Sequence, residues 1–149
     1  MIEFALSAMF LTYSFTGVFQ FGYSMYLYNE LQGAVRAGAR YASLATVAKT
    51  ASSTSDPTSY DTAVKNVVVY GTPSPSGSPT PVIPNLTTAM VDVNLTFDTA
   101  STGNPPTYVT VKINSYSLDA VVKTITLTNK PVMKMPFMGK YCIISSSAC

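Results

Sequence analysis

The chain has 149 residues, 47 % of them hydrophobic and only 11 % charged, with a formal net charge of +2. That charge is too small and too scattered to steer nucleic acid or an acidic partner. With no histidine and only two cysteines, imidazole acid/base chemistry, Ser-His and Cys-His nucleophile pairs and nearly all zinc ligand sets are excluded.

From Phe4 to Tyr28 no residue is charged. As a helix this stretch would be about 37 Å long, more than the roughly 30 Å of a bilayer's hydrocarbon core. It lacks the basic start, short apolar segment and Ala-x-Ala site of a secretory signal peptide. Its composition also departs from a plain leucine-rich anchor. Phe4, Phe10, Tyr13, Phe15, Phe19, Phe21, Tyr23, Tyr26 and Tyr28 alternate with Ser7, Thr12, Ser14, Thr16, Gln20 and Ser24. Tyrosine hydroxyls are better served by neighbouring protein than by acyl chains, so the stretch reads as a helix packed among helices.

No proline occurs before Pro57, and one helix is expected from Met1 to Lys49. Leu31, Ala34, Val35, Gly38, Tyr41, Ala42 and Ala45 fall on one apolar face, with Glu30, Gln32, Arg36, Arg40 and Ser43 elsewhere. Gly33/Ala37 and Ala34/Gly38/Ala42 are small-xxx-small pairs that admit a second backbone. Gly17 and Gly22 are expected points of loosening, because each glycine costs about 1 kcal/mol of helix propensity.

Residues 51–59 form a Ser/Thr-rich connection, and Asp56-Pro57 is an N-cap followed by a first-turn proline. A second helix is expected over 57–70 with Ala63, Val64, Val67 and Val68 inward, the valine run keeping a strand alternative open. Five prolines and two glycines mark 71–84 as an extended loop.

Period-two alternation then sets in. Strands are expected over Ala89–Phe97 and Tyr108–Tyr116, joined by a turn-like Asp98–Pro106, and Lys123–Thr128 is a candidate third strand. Leu118–Val122 reads as a turn or short helix. Pro131 and Pro136 limit the segment up to Met138 to an edge strand. Strands occupy 88–137 in this reading, and 138–149 is a tail closed by a Cys142–Cys149 disulfide, the mark of an oxidising compartment. The order of elements indicates an α+β fold. The hydrophobic half of a long helix (residues 1–30) protrudes from a small antiparallel head (31–149). The acids Asp56, Asp61, Asp92, Asp98 and Asp119 are spaced as caps, turns and strand-surface residues, so no catalytic activity, metal or cofactor is expected. Asn85-Leu86-Thr87 and Asn94-Leu95-Thr96 satisfy the glycosylation sequon only formally.

Ile2-Glu3-Phe4-Ala5-Leu6, Gln20-Phe21-Gly22, Asn29-Glu30-Leu31-Gln32 and Ala34-Val35-Arg36-Ala37-Gly38-Ala39-Arg40-Tyr41-Ala42 resemble the N-terminal signature of the TadE/TadG-like pilins. These are the tight-adherence (Flp-type) branch of the bacterial type IV pilin superfamily. The resemblance covers about 42 residues; beyond Ala51 it is one of architecture. It implies a subunit held in the inner membrane by its helix, trimmed by a prepilin peptidase, and handed by assembly machinery to an extracellular filament or its tip. The implied partners are copies of itself and other co-assembling pilins, not nucleic acid. In that superfamily a glutamate near the mature N-terminus is the functional residue. Glu3 matches it, although it stands third rather than fifth, and the leader glycine is absent. Glu3 with Met1 is the expected N-terminal pairing site, since a carboxylate in an apolar bundle needs a cation such as a neighbour's terminal ammonium. Phe4, Leu6, Phe10, Gly17, Phe21, Gly22, Gly33 and Gly38 are the expected helix-packing positions. The alternative is a membrane-anchored minor pilin or adhesin module outside the filament body.

Overall fold

The computed structural model describes residues 2–49, 58–98, 105–118 and 124–143. Helix α1 runs unbroken over Ile2–Leu44, about 65 Å at 1.5 Å per residue. It is followed by a short strand, β1 (Val47–Lys49), and a second helix, α2 (Thr58–Tyr70). A 3-10 turn, Thr88–Met90, leads into β2 (Val91–Thr96), β3 (Tyr108–Ile113), β4 (Ser115–Leu118), β5 (Ile125–Thr128), β6 (Val132–Pro136) and β7 (Tyr141–Ile143). The fold is α+β, as the element order indicates.

The central sheet is antiparallel in the order β2-β3-β6. Its registers pair Val91 with Ile113, Val93 with Val111, Leu95 with Val109, and Val109 and Val111 with Met135 and Met133. Those residues form the inner face, on which α1 and α2 lie side by side. Alternate residues form the outer face, where Asp92 meets Lys112 at 3.2 Å and Lys134 sits 4.1 Å from the Tyr108 ring centroid. β6 is an edge strand, consistent with a proline that lacks an N–H at its end.

The core starts at Leu27 and continues along α1 through Leu31, Val35, Gly38, Ala39 and Ala42. Full burial of side chains such as Leu31 and Val35 contributes about 1.5–3 kcal/mol each. From α2, Val64, Val67, Val68 and Val69 are buried, so the valine run is helical; packing against α1 outweighs its strand propensity. Gly71 ends this helix with φ 75° and donates its N–H to the Val67 carbonyl. The Pro-rich loop is anchored rather than free: Val82 N–H donates to the Val69 carbonyl, and Ile83 and Leu86 are buried plugs.

The expectation of helix through Lys49 is corrected. α1 stops at Leu44 because the head offers the next residues better partners. Val47 N–H donates to the Lys140 carbonyl, Met138 N–H donates to the Ser43 carbonyl, and Val47–Lys49 pair in parallel with Tyr141–Ile143. Ser43, which the spacing puts off the apolar face, is also buried, its hydroxyl donating to the Arg40 carbonyl at 2.8 Å. A second correction concerns Tyr108–Tyr116. The strand ends at Ile113, because Asn114 N–H turns to the Met90 carbonyl while its own carbonyl accepts from Asn129 N–H. The alternation changes phase there, so that Tyr116 and not Ser115 is buried. Leu118, expected in a turn or short helix, is the last residue of β4. The sequence-expected cap at Asp56-Pro57 and most of the 98–106 turn lie outside the described residues.

Two buried phenols join segments far apart in the chain. Tyr60 donates to the Ala42 carbonyl and Tyr116 to the Pro84 carbonyl, each at 2.7 Å. Tyr60→Phe is expected to destabilise the head by about 1–2 kcal/mol, since a buried carbonyl loses its donor. Chemical denaturation in mild detergent measures this; an unchanged midpoint would show that the bond contributes nothing.

Candidate assembly surface

Beyond Leu27 the helix leaves the head. Ile2, Phe4, Leu6, Met9, Phe10, Leu11, Tyr13, Phe15, Val18, Phe19, Phe21, Tyr23, Met25 and Tyr26 are all exposed, from 43 % at Tyr23 to 81 % at Phe4. They point around the full circumference instead of forming one stripe. A helix that is apolar all round is stable only when surrounded, by lipid or by other protein. The helix is long and apolar enough to cross a membrane.

The serines and threonines on this rod are internally satisfied. Ser7, Thr12, Ser14, Thr16 and Ser24 donate their hydroxyls to the carbonyls of Glu3, Ala8, Phe10, Thr12 and Gln20, four residues back, at 2.9–3.0 Å. These bonds let serine and threonine enter an apolar surrounding without an external partner. The tyrosine hydroxyls are the groups on the rod that favour protein neighbours.

The expected site residues fall into three sets. Glu3 lies in the first turn of α1, where the helix dipole favours an acid, with Phe4, Leu6, Phe10, Gly17, Phe21 and Gly22 on the exposed rod. Met1 lies outside the described residues. Gly17 and Gly22 meet no atom within 4 Å where a Cβ would stand, and the helix passes both without a break. Gly33 is open too, but on the segment of α1 that crosses the head. Gly38 is different: a Cβ there would overlap the Val68 Cγ2, so its close partner is α2 of the same chain. The Ala34/Gly38/Ala42 group thus faces inward, while Gly33 and Ala37 remain on the exposed side.

Cys142 is buried. Cys149 lies outside the described residues. Tyr141, beside Cys142, packs edge-on against Phe97 at 6.3 Å, and burial pushes its phenol pKa up.

One element at this surface is not among the expected site residues. β4 and β5 form a two-stranded antiparallel hairpin pairing Ser115 with Thr128, Tyr116 with Leu127, Ser117 with Thr126 and Leu118 with Ile125. One face carries Tyr116, Leu118, Ile125 and Leu127; the other carries only hydroxyl side chains. Leu118, Ile125 and Leu127 overhang the rod, facing Tyr13, Gly17, Gln20, Phe21, Ser24, Met25 and Tyr28 across an open apolar groove of about 420 Å³. The rod residues form a single helical stripe with Gly17 in it. The alternation of Ile125 and Leu127 with Thr126 and Thr128, which made Lys123–Thr128 a candidate strand, is present as β5. Its partner was hidden by the phase change at Asn114.

Residues 1–40 match the family model described as TadE-like protein. The N-terminal segment is TadE-like. No curated protein and no solved structure matches the chain. The match covers the rod and the first buried turns of α1, and ends short of α2 and the sheet. A TadE-like N-terminus together with an exposed apolar helix describes a membrane-anchored, pilus-associated protein.

Proposed function

We propose that this chain is a structural subunit of an extracellular type IV pilus-like filament, polymerising through the TadE-like helix and serving in attachment. The observation that carries this is the rod: about 25 residues, apolar on every side and projecting from a folded head. Before assembly the inner membrane covers it, and a prepilin peptidase trims the chain there. Afterwards copies of the same rod cover it, with other pilins able to co-assemble. Repetition of one head-to-tail contact generates an open helical array. The role is structural rather than catalytic: Asp61 and Asp92, acids on the head, are held in ion pairs with Lys65 and Lys112.

A second reading has its own support. The internally bonded serines and threonines suit permanent residence in lipid, as in a membrane-anchored minor pilin or adhesin module that never enters a filament body. Electron microscopy of sheared extracellular material, with N-terminal sequencing of its protein band, separates the two. Filaments composed of this chain are the expected result. Filaments lacking it, with the chain confined to membranes, would select the anchored module.

A further inference from the structure

The hairpin β4–β5 occupies a level on the rod that conflicts with a membrane span. A span takes about 20 consecutive apolar residues. Between the charges at Glu3 and Glu30 every such window contains residues 10–23. The stripe under the hairpin includes Tyr13, Gly17, Gln20 and Phe21, so these lie in hydrocarbon whichever window is used. In the described arrangement Leu118, Ile125 and Leu127 would then stand at the same depth. The hairpin is a two-stranded sheet with two open edges among the described residues, and its outer face carries Ser115, Ser117, Thr126 and Thr128. Open sheet edges have no water to bond to in hydrocarbon and do not occur there exposed to lipid. Shortening the span does not help, because the rod outside the stripe covers too little of the bilayer.

We infer that β4–β5 is a clasp, held off the rod while α1 spans the membrane and seated on the Tyr13–Tyr28 stripe once the rod leaves lipid. The inference rests on the membrane-to-filament reading above. The apolar face of the hairpin explains the seated state: Leu118 and Leu127 reach apolar partners only when lipid no longer occupies the stripe. The fold supplies a base for the motion. Asn114 and Asn129 flank the hairpin, joined by the Asn129 N–H to Asn114 carbonyl bond, and Asn129 has φ 54°, in the left-handed region that ends a strand abruptly. Tyr116, bonded to the Pro84 carbonyl, keeps the base attached to the head. The groove therefore belongs to the extracted state, and release of the rod from lipid is coupled to a change at the head.

The test uses the full chain carrying Phe21→Cys and Ile125→Cys, in sealed vesicles with the head outside and in sheared extracellular material. A seated state populated at about 10 % or less in the membrane makes disulfide formation at least about tenfold slower in vesicles than in the extracellular form. Equal rates, or no cross-link in the extracellular form, would overturn the clasp. The single variant Leu118→Cys, at a side chain that is buried in the seated state, gives a second readout that does not depend on a double substitution. Its labelling by a membrane-impermeant maleimide is expected to be fast in vesicles and at least about tenfold slower in the extracellular form; equal labelling contradicts the clasp. Phe10→Cys in the same vesicles separates the two levels of the reading. Protection from the maleimide upholds the span, so a cross-link formed there removes the clasp alone. Ready labelling of Phe10→Cys removes the membrane span, and the clasp with it.

Discussion

Replacing Glu3 by alanine is expected to leave the head folded and the chain in the membrane while filament incorporation falls more than about 100-fold. Glu3 lies far along the rod from the first core residue, Leu27, and the bond from the Ser7 hydroxyl goes to its backbone carbonyl, which alanine keeps. The substitution therefore touches no packing in the head. In the membrane it removes an acid whose burial at mid-bilayer would cost up to about 3 kcal/mol, so insertion is unchanged or improved. In an assembled rod bundle the carboxylate loses water and needs a cation. Removing one partner of such a pair leaves the other uncompensated, at about 3–5 kcal/mol, and each 1.4 kcal/mol is about tenfold in an equilibrium constant. Quantifying the chain in sheared and membrane fractions checks this. Equal extracellular yield from Glu3→Ala would remove Glu3 from assembly and favour the permanently anchored module.

Gly38→Ala is expected to destabilise the head by about 1–3 kcal/mol, the usual range for overpacking a filled core. The added Cβ would overlap the Val68 Cγ2, and both residues lie in the buried α1–α2 contact. The gain in helix propensity on leaving glycine, about 1 kcal/mol, works against this loss and does not remove the overlap. Val68→Ala alone leaves a cavity. In the double variant the new methyl occupies part of the space that Val68 vacates, so the two losses should be less than additive, with a coupling of about 0.5–3 kcal/mol. Denaturation of the four proteins in the same mild detergent measures that coupling. Strict additivity would mean that Gly38 is not in contact with Val68 and stands open to another subunit. By contrast Gly33→Ala, where no atom lies within 4 Å, should leave head stability intact or raised.

Much of this molecule is visible in local patterns. The helical spacing of Leu31, Val35, Gly38 and Ala42 marks the face that is buried, and the alternation of Val91, Val93, Val109 and Val111 marks the inner face of the sheet. Pro131 and Pro136 set β6 at an edge. Where the reading failed, the deciding partner was distant in sequence. Nothing near Thr46 announces that the helix should stop, since the groups that end it are Met138, Lys140 and the strand at Tyr141–Ile143, nearly a hundred residues on. Asn114 looks like one more polar residue in an alternating strand. Only its bonds to Met90 and Asn129 show that the chain changes sheet there.

The candidate site divides in the same way. The sequence by itself determined the rod: an uncharged stretch without proline, whose length and apolar composition are properties of consecutive residues and need no partner to be recognised. It also placed Glu3 at the end of the helix that tolerates an acid. Tertiary structure alone decided which small residues on that helix are already used. Gly38 is filled by Val68, while Gly17 and Gly33 stay open. It alone brought Leu118, Ile125 and Leu127 over the rod. The physical reason is common to both. Helix formation and hydrophobicity act over neighbouring residues, whereas the space around a glycine and the cover over an apolar stripe are set by segments that the chain brings back from far away.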